Sequence, residues 1–148
     1  MVLKIPPPIL MLMALIVMSG CNYLLPWWQF NTLRVIAIPL IIIAMISGFL
    51  SVLALAKADT TISPFMPQQA ARLVTRGIYQ YSRNPMYASL LLLLMAAVFI
   101  YGELSTMLGI VFYVVVINHY QIKPEEKALL TLFGKEYAQY CRQVRRWF

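Results

Sequence analysis

The chain has 148 residues, 61% of them hydrophobic and only 11% charged, with a formal net charge of +7 and a mean hydropathy of +0.75. Such a composition excludes an ordinary soluble domain and reads as one integral membrane domain over residues 1–148. In a soluble protein a surplus of positive charge would suggest nucleic acid. Here the lysines and arginines flank apolar runs, so anchoring at the membrane face and contact with anionic lipid account for them, and no nucleic-acid partner is expected.

In chain order, Met1–Pro8 is short, with Lys4 and three successive prolines. Ile9–Leu25 is the first apolar run. Within it, Met18-Ser19-Gly20-Cys21 has some likeness to a lipoprotein cleavage site, but the weakly charged, proline-rich start and the return of apolar sequence favour a retained span. Trp27, Trp28 and Phe30 cluster around a polar turn, as an interfacial aromatic belt does. Val35–Ala56 is long enough to cross ~30 Å of hydrocarbon, and Pro39 either opens that helix or kinks it. Thr60–Gln69, with Pro64 and Pro67, reads as an irregular connection.

The densest polar stretch follows, Leu73 to Tyr87, with Arg76, Arg83 and three tyrosines between membrane-length apolar runs. Asn84-Pro85 marks a helix start, with Asn84 as N-cap and Pro85 at the first helical position. Met86–Tyr101 and Leu104–Tyr120, joined by the turn Tyr101-Gly102-Glu103, form a helical hairpin of two short spans. A tail then begins at Pro124, followed by Glu125 and Glu126, which suit a helix N-terminus. Leu129, Phe133, Tyr137, Tyr140 and Val144 make an amphipathic stripe along it, the mark of an interfacial helix that also closes a site.

The expected fold is therefore an all-α membrane protein of about four transmembrane helices, with a cytoplasmic amphipathic C-terminal helix. Placing the 57–83 loop and the tail in the cytoplasm puts Lys57, Arg72, Arg76, Arg83, Lys123, Lys127, Lys135, Arg142, Arg145 and Arg146 inside, with Lys4, and leaves Arg34 outside. Both termini are then cytoplasmic, as in a multi-pass protein of a bacterial inner membrane.

Several familiar chemistries are absent from the sequence. No two of the six glycines form Gly-x-Gly, so no dinucleotide-type loop is present. One histidine, His119, and two isolated cysteines, Cys21 and Cys141, give no metal site. No nucleophile–His–acid triad is suggested, and the apolar runs carry no interior acid of the kind a proton-coupled exporter uses. The groups left are Glu125, Glu126, His119, several arginines and the tyrosines Tyr79, Tyr81, Tyr87, Tyr120, Tyr137 and Tyr140. Carboxylates beside aromatic faces suit a cationic ligand. They also suit interfacial anchoring with glutamates that merely complement a helix dipole.

Two ordered motifs add a further expectation. Leu73-Val74-Thr75-x-Gly77-x-Tyr79 followed by Ser82-Arg83-Asn84-Pro85-Met86-Tyr87 is the first. The second is Glu125-Glu126-x-x-Leu129, then Phe133-Gly134-x-x-Tyr137-x-x-Tyr140 and Val144-x-Arg146-Trp147. Together, over about Ile62–Trp147, they resemble the isoprenylcysteine carboxyl methyltransferase and phospholipid methyltransferase superfamily of membrane enzymes.

The resemblance implies two N-terminal spans in 1–58 and a core in 59–148 that binds S-adenosylmethionine. Leu73, Val74 and Tyr79 would line the adenosine. Asn84, Pro85, Met86 and Tyr87 would form the helix start facing the cofactor, and Glu125 would contact its ribose or methionine part. The chain departs from the pattern at Asn84, where His is frequent, at Ile78 and Ser89, and at Gln121, where members that methylate a carboxylate carry Arg. Arg83 or Lys123 could replace that cation. The implied reaction is methyl transfer to a lipid-like or small amphiphilic acceptor, such as a prenylcysteine carboxylate, a phospholipid amine or a thiol. For an amine, Glu126 or His119 could take the proton. The competing expectation is a non-catalytic four-helix membrane protein that retains the motifs.

Overall fold

The computed structural model describes residues 5–58 and 72–148, with backbone alone at 31–33, and among them there is no β-strand. Lys4, Asp59 and the Thr60–Gln69 connection lie outside the described residues. Five helices follow in order: α1 (Pro7–Leu24), α2 (Ala37–Lys57), α3 (Pro85–Tyr101), α4 (Met107–Ile117) and α5 (Lys123–Gln143). Two of them, and the continuous stretch Leu104–Gln143, are long and apolar enough to cross a membrane; α3 is a shorter apolar helix.

Proline positions explain where these helices start. Pro7 and Pro85 each open a helix, where an N–H would have no partner in any case. Pro39 is the third residue of α2, so it opens that helix and does not kink it. Pro124 behaves differently from the expected fresh start. Helix α4 runs on through a π turn, Asn118–Ile122, directly into α5. Pro124 has no N–H for the carbonyl of Tyr120, and its ring crowds that carbonyl; the wider π winding relieves both without breaking the helix. α5 is interrupted instead at Gly134, whose backbone (φ 50°, ψ −117°) is non-helical.

The α3–α4 hairpin turns on Gly102, left-handed at φ 66°, which caps α3 through its N–H to Val98 O at 2.9 Å. The connection between α1 and α2 is tied to this turn. Phe30 N donates to Gly102 O (2.8 Å), and Leu104 N donates to Trp28 O (3.0 Å). The side chain of Glu103, 1% exposed, accepts from Trp27 N at 2.6 Å and Trp28 N at 2.9 Å. Burial opposes its charge, yet the N–H groups of Trp27, Trp28, Ser105 and Leu104 hold its carboxyl below the usual range. The indoles of Trp27 and Trp28 remain largely exposed, as an interfacial belt requires.

α2 packs on α3, and α1 packs on α4 and α3. The core comprises Leu10, Ala14 and Met18 of α1, Tyr87, Leu94 and Val98 of α3, and Tyr113, Ile117 and Ile122 of the last long helix. Full burial of Leu10, Ala14 and Met18 is how a retained first span would pack. α2 turns Ile38, Ile42, Ile43, Met45, Ile46 and Phe49 outward, a surface suited to lipid tails.

α1 and α4 pack tightly at Gly109. A Cβ there would lie 2.8 Å from the carbonyl oxygen of Ala14 and would also collide with the Met18 side chain. Small residues at such crossings let transmembrane helices meet closely. Gly109→Ala should therefore destabilise the bundle by about 1–3 kcal/mol, the usual cost of overpacking. Gly20→Ala, which meets nothing within 4 Å, should change stability by less than about 0.5 kcal/mol. Thermal unfolding of both variants in one detergent provides the comparison.

Candidate functional site

The two motifs of the sequence meet at one end of the bundle. The 3-10 turn Gly77–Gln80 and the residues up to α3 form one wall, and the C-terminal tail forms the other. Backbone and side-chain bonds join them. Arg83 N donates to Arg145 O (2.9 Å), and the Asn84 amide donates to Arg146 O (3.0 Å). Tyr140 donates its hydroxyl to Tyr79 O at 2.6 Å. Asn84 does occupy the N-cap position, but its side chain makes no capping bond; it is spent on the tail.

At the centre of the joint is Glu126. Arg146 grips it bidentately, with Nη2 to Oε2 at 2.7 Å and Nε to Oε1 at 3.0 Å. Arg83 Nη1 lies 3.1 Å from Oε1 and also 2.6 Å from the sulfur of Cys141. Bidentate guanidinium–carboxylate pairs fix geometry as well as charge. The hydrogen bonds from Glu126 raise the Arg146 guanidinium further above its ordinary value.

The neighbouring carboxylate is held differently. Glu125 accepts from the Tyr87 hydroxyl at 2.9 Å, and the Tyr87 carbonyl in turn accepts from Tyr113 at 3.2 Å. Withdrawal from water raises the Glu125 carboxyl from 4.5 to about 7; the Tyr87 bond opposes this shift and the charge of Glu126 adds to it. Burial pushes the Tyr79, Tyr137 and Tyr140 phenols well above their ordinary value, so they stay neutral.

Beside Tyr87 lies Gln121, brought inward by the π turn and only 1% exposed. Its amide is close enough to interact with the Tyr87 hydroxyl, but neither Oε1 nor Nε2 makes a hydrogen bond of full geometry among the described residues, and neither does Arg83 Nε. Such groups are rare in proteins and usually have a reason. Leu73 and Val74 are half-buried in the loop wall, Pro85 is buried, and Met86 is half-buried beside it. His119 faces the other way: it is exposed and stacks edge-on against Tyr120, with ring centroids 4.8 Å apart.

Sequence alone assigns no site role to Arg146 or Tyr113, and it has Tyr140 only among the aromatic groups, without a role of its own. Arg146 and Tyr140 had a signal, since both belong to the second motif. Tyr113 lies inside an uncharged apolar run, and nothing in its spacing sets it apart.

The model of the phospholipid methyltransferase family matches residues 32–136, well over half of the chain, including the loop wall of this site with Glu125 and Glu126 and ending before Tyr137. The chain belongs to that family. Its members are methyltransferases of membranes, and this phospholipid methyltransferase family chain has the helices for such a setting. An uncharacterized protein of Haemophilus influenzae is 45% identical over 62 residues, which are 42% of this chain and 98% of that protein. No solved structure matches the chain.

Glu125 supplies a direct test of the site's electrostatics. Its folded-state value lies above its unfolded one, so it favours the folded protein fully below about pH 4.5 and loses that contribution as pH rises through about 7. Infrared titration should show a protonated carboxyl band that disappears with a midpoint near pH 7 and is absent in Glu125→Gln. Tyr87→Phe removes the donor that stabilises the anion, so its midpoint should move upward.

Proposed function

We propose that this chain transfers a methyl group from S-adenosylmethionine, leaving S-adenosylhomocysteine, to a lipid-like or small amphiphilic acceptor at the cytoplasmic membrane face. The observation that carries this reading is the Tyr87–Glu125 pair beside a buried Gln121 amide whose hydrogen-bonding capacity the described residues leave largely unfilled. The cofactor would supply a sulfonium cation bearing a transferable methyl group. Buried phenol rings and a carboxyl group attract such a cation, each aromatic face contributing ~0.5–2 kcal/mol. Leu73, Val74 and Tyr79 offer an apolar and aromatic wall for the adenosine. Pro85, Met86 and Tyr87 offer the helix start, Asn84 clamps the tail over it, and Glu125 is the acceptor for hydroxyl or amino groups.

The same geometry suggests how labour is divided. Glu126, gripped by two guanidinium groups, serves as a clamp. For an amine acceptor, Glu125 with its value near 7 is better suited to take the proton than the exposed His119. Arrangement of the two reactants in a water-poor pocket would provide most of the rate, up to ~7–11 kcal/mol in well-ordered cases.

Calorimetry on the full chain in detergent should detect S-adenosylmethionine and S-adenosylhomocysteine. Tyr87→Ala and Glu125→Ala should each weaken binding about ten-fold or more without loss of helix content. Affinity for the sulfonium should rise between pH 6 and 8 as Glu125 ionises, and Glu125→Gln should flatten that rise. No binding at millimolar cofactor would favour the non-catalytic reading.

Acceptor choice follows from Gln121. Arg83 is already bound to Glu126 and Cys141, and Lys123 is exposed. Neither is therefore positioned to replace a buried cation, which argues against a free carboxylate substrate. A charge-assisted hydrogen bond contributes ~1.5–3 kcal/mol, so prenylcysteine should trail a neutral or amine-bearing acceptor by about one to two decades in kcat/KM. Methyl transfer to prenylcysteine, phosphatidylethanolamine and small thiols is the measurement. If prenylcysteine is the best acceptor and Gln121→Arg changes nothing, Gln121 does not set acceptor choice.

A further inference from the structure

A second feature adjoins the same loop. A groove of about 1010 Å³ runs between the last two turns of α2 and residues 72–81. Its floor is apolar, with Leu50, Leu53 and Ala54 from α2 and Ile78 from the loop, while Lys57 and Arg76 stand on its lining. Neither Tyr87 nor Glu125 lines it, although Leu73 and Val74 of the loop wall do. Both cations are exposed, and neither has an ion pair among the described residues.

The order of groups along α2 sets the depth. Leu50 and Lys57 are two turns apart on one face, a rise of about 10 Å at 1.5 Å per residue. Towards its middle, α2 exposes Phe49, Met45 and Ile42, the side chains expected to meet lipid tails. A ligand in this groove therefore meets hydrocarbon-facing side chains at one end and, at the other, two cations without an ion pair among the described residues. Guanidinium and ammonium groups bind phosphate oxygens by charge-assisted bonds.

We infer that this groove binds one anionic phospholipid, its phosphate held by Lys57 and Arg76 and an acyl chain lying along Leu50, Leu53 and Ala54. The inference does not rest on methyl transfer, and its readout is binding alone. The lipid clamps the end of α2 to the loop that carries Leu73 and Val74, which line the groove, so the membrane's charge acts on one wall of the candidate site.

The test is a titration of fluorescent phosphatidylglycerol into the detergent-solubilised full chain, followed by anisotropy. Unlabelled phosphatidylglycerol should compete at least ten-fold better than phosphatidylcholine. Lys57→Gln and Arg76→Gln should each weaken binding about five-fold, the loss expected from one cation at ~1 kcal/mol near an anionic lipid. A charge-matched pair on α5, K127Q with K135Q, should leave it unchanged. If a groove variant does not fold, raising the salt on the wild type should weaken phosphatidylglycerol binding and spare phosphatidylcholine. Equal competition by the two lipids, or the same loss in the α5 pair, would overturn the inference. Displacement by millimolar inorganic phosphate would identify a phosphate site without a lipid role, and displacement by S-adenosylhomocysteine would identify the groove as the cofactor's. Either would sink the proposal.

Discussion

The carboxylate of Glu126, shared between Arg83 and Arg146, is the interaction on which the site depends. Arg83 belongs to the loop before α3, Glu126 to the start of α5, and Arg146 to the residues after α5 ends. Three segments far apart in sequence are thereby fixed at one point. Around it, the backbone bonds of Arg83 and Arg145 and the side chain of Asn84 complete the joint. The ion pairs are partly exposed, so their net contribution to stability is modest and falls with salt. Their effect is geometric: they decide where Tyr79, Tyr87 and Glu125 stand relative to one another.

The opposite end of the bundle obeys the same constraint with a different solution. Polar backbone that leaves a helix near hydrocarbon must find partners, and the Gly102 turn finds them in the connection between α1 and α2. Glu103 is an acceptor for two backbone N–H groups there, whereas Glu126 is an acceptor for two guanidinium groups at the other end. Both acids, Glu103 buried and Glu126 half-buried, sit outside the apolar interiors of the helices. The middle of the bundle needs only shape, supplied by Gly109 against Ala14 and by Gly48 facing Ser89.

Much of this was legible in the residues. Apolar runs bounded by proline, glycine and charge mark α1 to α4, because hydrocarbon thickness and missing N–H groups act locally. The pairing of the two motifs was legible too, since both are polar interruptions that must share one face. What escaped the sequence depends on contacts across it. Glu103 looks like a turn residue until Trp27 and Trp28 are seen to donate to it. Asn84 reads as an N-cap, yet its side-chain oxygen makes no capping bond while its Nδ2 donates to the carbonyl of Arg146. Pro124 reads as a new helix start, because only the path of the preceding turn reveals that a π winding can absorb it. Gly134 interrupts α5 where the stripe from Leu129 to Val144 implies an unbroken helix.

The π turn bears most directly on function. An unbroken α-helix through Pro124 would clash with the Tyr120 carbonyl, so the chain widens there, and the widened turn brings Gln121 inward beside Tyr87. Burying an amide with no hydrogen-bond partner costs roughly 1–3 kcal/mol by mutational measures. An apolar residue such as leucine would fill that volume without the penalty. Gln121 approaches the Tyr87 hydroxyl, yet neither amide atom makes a full hydrogen bond to another described group. Beside a carboxyl group with a value near 7, that open amide is a cost to the fold that a bound polar molecule, an ordered water included, would reduce.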